Sequence, residues 1–148
     1  TINAGYKIMM KKFLMVSIIS TFYVSTVQSA ECLSRDCSNG YGIYQFEKGG
    51  HYFGYWKNNK MHGQGIFLLT NGNKYVGDFK KGQYNGKGLY LNSNGDKYSG
   101  EFKNNRFNGQ GTYFFSDGKK MMGIWSNDRL IKAEKGSVNT GLVKKSYI

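Results

Sequence analysis

The chain has 148 residues and a formal net charge of +12, with 21 glycines, no proline, 12 tyrosines, 10 phenylalanines and two cysteines. Leu, Ile and Val are too modest for an ordinary aliphatic core, so burial must come from rings, each able to cover roughly 150–250 Å². Low hydrophobicity with high charge would suggest disorder, but the aromatics come at fixed spacing, which argues for a fold.

Residues 1–30 read as upstream residues plus a secretory signal peptide. Met10-Lys11-Lys12 is basic, Phe13 to Val27 is uncharged and apolar apart from Ser and Thr, and small Ser29 and Ala30 follow. The apolar run is about 15 residues, short of the ~20 that a membrane-spanning helix needs. Cleavage is expected after Ser29 or Ala30, and translation is expected to start at Met9 or Met10. The remainder loses Lys7, Lys11 and Lys12 but no acid, and stays strongly basic. That favours anionic partners through a long-range attraction that salt weakens. The expected location is the periplasm, the cell envelope or the secreted space.

Cys32 and Cys37 come next, and an oxidising compartment would allow a local disulfide that staples one end of the fold. Two cysteines make a poor metal site, because structural zinc wants four ligands. No metal and no cofactor is expected. Residues 31–51 read as a degenerate N-terminal half-unit: Gly40, Gly42 and Tyr44 lie one period ahead of Gly63, Gly65 and Phe67, while the Tyr and Gly of a first strand are missing near Glu31 and Leu33.

From residue 52 a 23-residue unit repeats without a slip, over 52–74, 75–97 and 98–120, with a partial copy at 121–128. One column holds Tyr52, Tyr75, Tyr98 and Met121. Two residues on come Gly54, Gly77, Gly100 and Gly123, then Trp56, Phe79, Phe102 and Trp125. Large, Gly, large at spacing two is a strand pattern with all three on one face. A second strand carries Gly63, Gly65 and Phe67, and its copies repeat them. Between strands, Asn59, Gly82, Asn105 and Asp128 share a turn column that tolerates positive φ. Asn71-Gly72, Asn94-Gly95 and Asp117-Gly118 are strong hairpin signals. Glycine on the ring face lets an aromatic side chain lie across a neighbouring strand's bare backbone. The expectation is all-β: an antiparallel hairpin meander forming an elongated, curved, single-layer sheet. Residues 129–148 are expected to break register and cap the end, with Leu130 and Ile131 packing there, no second strand after Asp128, and a loose tail beyond Lys135.

This pattern resembles the MORN repeat (membrane occupation and recognition nexus). The resemblance rests on Tyr-x-Gly-x-Trp/Phe followed by Gly-x-Gly-x-aromatic, in three good copies over residues 52–120. It departs at Met121, at Asp128 and in the weak first unit. It implies a β-hairpin stack that acts as a scaffold for protein contact or dimerisation, with acidic phospholipid as a ligand of some members. Repeats of this kind usually build surfaces rather than active sites. No nucleophile and base stand at a recognisable spacing, and the Gly-x-Gly elements lack the helix and lysine of a phosphate loop.

Two sets of positions remain for function. Lys57, Lys80 and Lys103, and Lys74, Lys97 and Lys120, recur in register on the non-aromatic face. Equivalent lysines should stand about 10 Å apart, two strand widths. They either keep a β ribbon from aggregating or meet an anionic surface, where each basic residue adds ~1 kcal/mol at a phospholipid membrane. An acidic glycan or protein would serve as well. Tyr52, Trp56, Tyr75, Phe79, Tyr98, Phe102 and Trp125 either build the fold or line an aromatic groove. The leading expectation is a non-catalytic scaffold that binds a protein partner; the alternative is peripheral attachment to anionic membrane. Nucleic acid is not expected for an exported protein, and open strand edges would allow copies to pair end to end.

Overall fold

The computed structural model describes residues 30–138. The predicted signal segment up to residue 29 and the tail from residue 139 lie outside the described residues. Ten strands follow one another: β1 (Glu31–Arg35), β2 (Gly40–Phe46), β3 (Gly50–Lys57), β4 (Lys60–Leu68), β5 (Lys74–Lys80), β6 (Gln83–Leu91), β7 (Lys97–Lys103), β8 (Arg106–Phe114), β9 (Lys120–Ser126) and β10 (Arg129–Ala133). They lie in chain order in one sheet, each antiparallel to the next. Packing runs between chain neighbours. The expected single-layer ribbon is thus an open sheet that does not curl back on itself, with β1 and β10 at its edges.

The two long sides of the ribbon turn by different means. On one side four of the five links, all but the four-residue one between β1 and β2, are two residues long, and both residues have positive φ: Asn58 at 51° and Asn59 at 57°, Lys81 at 52° and Gly82 at 83°, Asn104 at 51° and Asn105 at 65°, Asn127 at 48° and Asp128 at 65°. These are type I′ turns, whose twist matches that of the flanking strands. The predicted turn column is therefore the second of two positive-φ positions. The Asn-Gly and Asp-Gly pairs belong to longer loops on the other side. There only the glycine is left-handed, at 82° for Gly72 and 94° for Gly95, while the Asn71 and Asn94 side-chain oxygens (Oδ1) accept the Asn73 and Asp96 N–H groups at 3.0 Å.

The core is a ladder of rings on one face. Tyr52, Tyr75 and Tyr98 are fully buried, and Phe79, Phe102 and Trp125 nearly so. Gly54 faces Gly65, Gly77 faces Gly88, and Gly100 faces Gly111. The tyrosine of the same unit lies over each glycine pair: a Cβ added to Gly88 would stand 2.5–2.7 Å from the Tyr75 ring. Each ring ends by donating its hydroxyl to the carbonyl three residues on, at Tyr55, Asp78 and Glu101. Edge-on contacts tie one unit to the next, with ring centroids 4.9 Å apart for Tyr52–Phe79, 5.0 Å for Tyr75–Phe102 and 5.4 Å for Tyr98–Trp125.

A further column completes this core. Met61, Tyr84, Phe107 and Leu130 pair in register with Trp56, Phe79, Phe102 and Trp125. Tyr84 stacks on Tyr75 and Phe107 on Tyr98, each at 3.8 Å. The same residues carry the link between units, because the Tyr84 and Phe107 carbonyls accept the N–H of Asn105 and Asp128 in the next turn. In return, the Asn105 and Asp128 side chains accept the Tyr84 and Phe107 N–H at 2.8 Å. This column varies in residue type, which hides it from a motif built on Tyr, Gly and Trp/Phe.

The C-terminal end corrects the sequence reading. A second strand does follow Asp128, since β10 keeps the period through Arg129 and Leu130 before a bulge at Leu130/Lys132. Lys132 and Glu134 replace the two glycines of the motif, so regular pairing stops early. As far as Val138 the chain beyond is held rather than loose: Glu134 N–H bonds the Met122 carbonyl at 2.8 Å, and Val138 N–H bonds the Lys120 carbonyl at 2.9 Å, while the rest of the expected loose tail lies outside the described residues. Leu130 packs on the core, whereas Ile131, expected to pack, is 64% exposed. At the other end Cys32 and Cys37 are disulfide-bonded, and β1 carries a bulge at Cys32/Ser34. Bulges at both edges interrupt the backbone groups that another strand would pair with.

Candidate functional site

Single-layer architecture gives the two faces different fates. Tyr52, Trp56, Tyr75, Phe79, Tyr98, Phe102 and Trp125, the candidates for an aromatic groove, are all buried. Their rings are occupied with one another and with the glycine backbone. Burial pushes the hydroxyls of Tyr52, Tyr75, Tyr84 and Tyr98 well above the ordinary tyrosine range, which keeps this face neutral.

Among the described residues no element covers the opposite face, and the register arranges it in rows across the strands. The middle row is Ile43, Phe53, Ile66, Val76 and Leu89, followed by Ser99, Thr112 and Met122. It is an apolar strip over β2–β6 that turns polar at β7 and β8. Tyr41 and Tyr55 stand beside its N-terminal end, edge to face at 5.5 Å, and Tyr55 is 53% exposed.

One flank starts with Gln45, His51 and Leu68 beside the strip and turns basic only toward the strip's C-terminal end and beyond it. Leu68, Lys74, Leu91, Lys97, Phe114 and Lys120 follow one another in register. Lys97 Nζ lies 4.8 Å from the centre of the Phe114 ring, so its stem and charge rest on the apolar row. The other flank is mixed. Asp78 accepts bonds from the Gln64 amide and from Lys87 N–H, and Glu101 accepts one from Gln110 N–H. These acids are committed to the sheet rather than to lysine. Beyond that flank lie Lys57, Lys80 and Lys103, opposite Lys60, Gln83 and Arg106 at the type I′ turns. The ion pairs among the described residues join Arg106 to Asp128 at 3.9 Å and Lys119 to Asp117 at 2.6 Å. None of the six recurring lysines is in either.

Between the two flanks the open face sinks into a trough of about 650 Å³. Its floor is the bare backbone of Gly77, Gly88, Gly100 and Gly111, with Val76 and Leu89 on one wall and Lys87 and Glu101 on the other. The glycines that admit rings on one side thus leave a depression on the other. Among the described residues no group of three or more His, Cys, Asp or Glu is placed to hold a metal ion.

Polar residues on the loop side give the sheet its order and were missed in the sequence. Asn73 donates to the Tyr90 hydroxyl at 3.0 Å and accepts from Ser93 N–H. One period later Asp96 accepts the Tyr113 hydroxyl at 2.8 Å and Ser116 N–H at 2.8 Å. Burial works to raise the Asp96 carboxyl, but these bonds and that of Asn94 together hold it below the ordinary carboxylate range. Where the column holds Gly50 the ring is Phe67, without a hydroxyl. That pairing within one chain is the signal that could have found it.

The MORN repeat family model matches residues 38–51, 52–74, 75–97 and 98–120, together more than half of the chain. No curated protein matches it. The chain belongs to the MORN repeat family.

Proposed function

We propose that this chain is an exported, non-catalytic binding module whose open face receives a protein partner. MORN repeats are interaction and scaffold modules, and the observation that carries the reading is the apolar strip from Ile43 to Leu89 on a face that nothing described covers. The five strip residues are half-buried, with Tyr41, Tyr55 and Leu68 exposed beside them, and apolar patches with polar rims commonly mark protein contact sites. Export follows from the signal-peptide pattern of residues 1–30. A second reading, attachment to anionic phospholipid, draws on the six lysines, none of them in an ion pair among the described residues.

The test compares the full chain with its Ile66→Asp variant in pull-downs from envelope and secreted fractions, beside sedimentation with phosphatidylserine vesicles at low and high salt. The expected result is a protein retained by the native chain and lost with Ile66→Asp. Vesicle binding that is abolished by salt and unchanged by Ile66→Asp, with no protein retained, would favour the lipid reading instead.

A further inference from the structure

We propose that the cleft between the β5–β6 and β7–β8 turns is a binding site for a phosphorylated sugar. This goes beyond the protein-binding reading and does not depend on it. The cleft lies at the turn end of the hairpins: Lys80 stands four residues along β5 from Val76 of the apolar strip, about 13 Å. It is a cavity of about 530 Å³ bordered by Lys80, Lys81 and Lys103, with Gln83, Asn85, Asn104 and Asn108 beside them. Register shapes it. The β6–β7 ladder ends at Gly86 and Phe102, and both residues line the cavity.

Charge calls for a phosphate. Against the three lysines, Glu101 is the one acid in the lining. Its carboxylate is turned onto β8, where it accepts Gln110 N–H at 3.3 Å, and no ion pair joins it to lysine among the described residues. Two positive charges remain in excess, and a phosphate ester carries about two negative charges near neutral pH. Lys81 is the second observation. It opens a type I′ turn at φ 52°, a left-handed conformation that asparagine and glycine enter readily and lysine does not. Asn58, Asn104 and Asn127 hold the same position in the other two-residue turns. Turn geometry alone favours asparagine there, so the lysine serves something besides the fold, and it borders the cavity. The remaining lining sets the rest of the ligand. A phosphate needs only the room of a few waters, ~30 Å³ each, so a larger body accompanies it. Gln83, Asn85, Asn104 and Asn108 offer amides that both donate and accept, and among the described residues no hydrogen bond engages those side chains. Four amides suit a hydroxylated ring rather than an apolar one.

The probe is glucose 6-phosphate, titrated calorimetrically into the full chain beside glucose and inorganic phosphate. Glucose 6-phosphate should bind, and each half alone at least about tenfold more weakly, the effect of 1.4 kcal/mol. Lys81→Asn installs the residue of the other turns. It should weaken glucose 6-phosphate about tenfold, while the midpoint of chemical denaturation holds or rises. Lys48→Gln removes the same charge in the β2–β3 link, on the opposite long side, and should leave the affinity unchanged. Circular dichroism of both variants should match the native chain. No binding of glucose 6-phosphate, or inorganic phosphate bound as tightly, would overturn the inference. So would a Lys81→Asn chain that binds normally, or equal losses in Lys81→Asn and Lys48→Gln. Vesicles containing a phosphorylated phosphatidylinositol form the last arm. A chain that captures them through Lys81 and ignores free glucose 6-phosphate would assign these lysines to a membrane, which also overturns the inference. Retention of a protein through Ile66 is read separately, so each reading fails on its own result.

Discussion

Gly88 shows how one residue type serves both faces. Its φ is not in the left-handed region, so its conformation does not demand glycine. What demands it is the Tyr75 ring, 2.5–2.7 Å from where a Cβ would stand. Gly88→Ala should therefore cost about 1–3 kcal/mol, the usual range for overpacking, measured by chemical denaturation. A cost near zero would mean that the ring is not pinned to the backbone. The buried tyrosines carry a second consequence at this scale. Tyr52, Tyr75, Tyr84 and Tyr98 have an ordinary value of 10.0, and burial raises each in the folded chain. Above pH 10 the unfolded chain therefore releases protons that the folded chain keeps. Stability is fully present below pH 10 and falls as the pH rises further. In an alkaline titration the share of tyrosinate absorbance owed to these four hydroxyls should appear only as the sheet's circular dichroism is lost. Absorbance reaching that of all 12 tyrosines with the sheet intact would show that these hydroxyls are not buried.

Within each hairpin, what repeats strictly was legible and what repeats loosely was not. Tyr, Gly and Trp/Phe kept identity at spacing two, so the first strand, its face and the antiparallel meander could be read directly. The Met61, Tyr84, Phe107 and Leu130 column keeps only apolar character, and the Asn73 and Asp96 column only a polar group able to meet a tyrosine hydroxyl. Both are defined by a neighbour one strand away, which a single line of sequence does not display. The end of the repeat was misplaced for a related reason: without glycines at Lys132 and Glu134, β10 lacks the motif yet still has Leu130 to pack on Trp125. Because each unit contacts only its neighbours, deleting residues 75–97 joins Lys74 to Tyr98 with every column in phase. The shortened chain should fold with the same circular dichroism shape and a lower midpoint, as stacked repeats do. A chain unfolded by this deletion would show that the units are not interchangeable.

As a whole, the molecule divides its labour by face. The aromatic face supplies burial, and the opposite face keeps an apolar strip, a trough floored by glycine and a flank that turns basic toward its C-terminal end. The lysine columns were visible in sequence, and alternation placed them on the right face. Ile43, Phe53, Ile66, Val76 and Leu89 were not seen as a row, because they align only through the cross-strand register. The most direct measurement of this division pairs Ile66→Asp with Phe79→Ala, reading stability and partner retention on each purified chain. Phe79→Ala should lose about 3–5 kcal/mol, as large aromatic truncations in cores do. Ile66→Asp should keep native stability within about 1 kcal/mol, the range of surface substitutions and modest losses, and lose the partner. A Phe79→Ala chain that stays stable and loses the partner, beside an Ile66→Asp chain that binds normally, would contradict the account by placing the binding surface on the aromatic face.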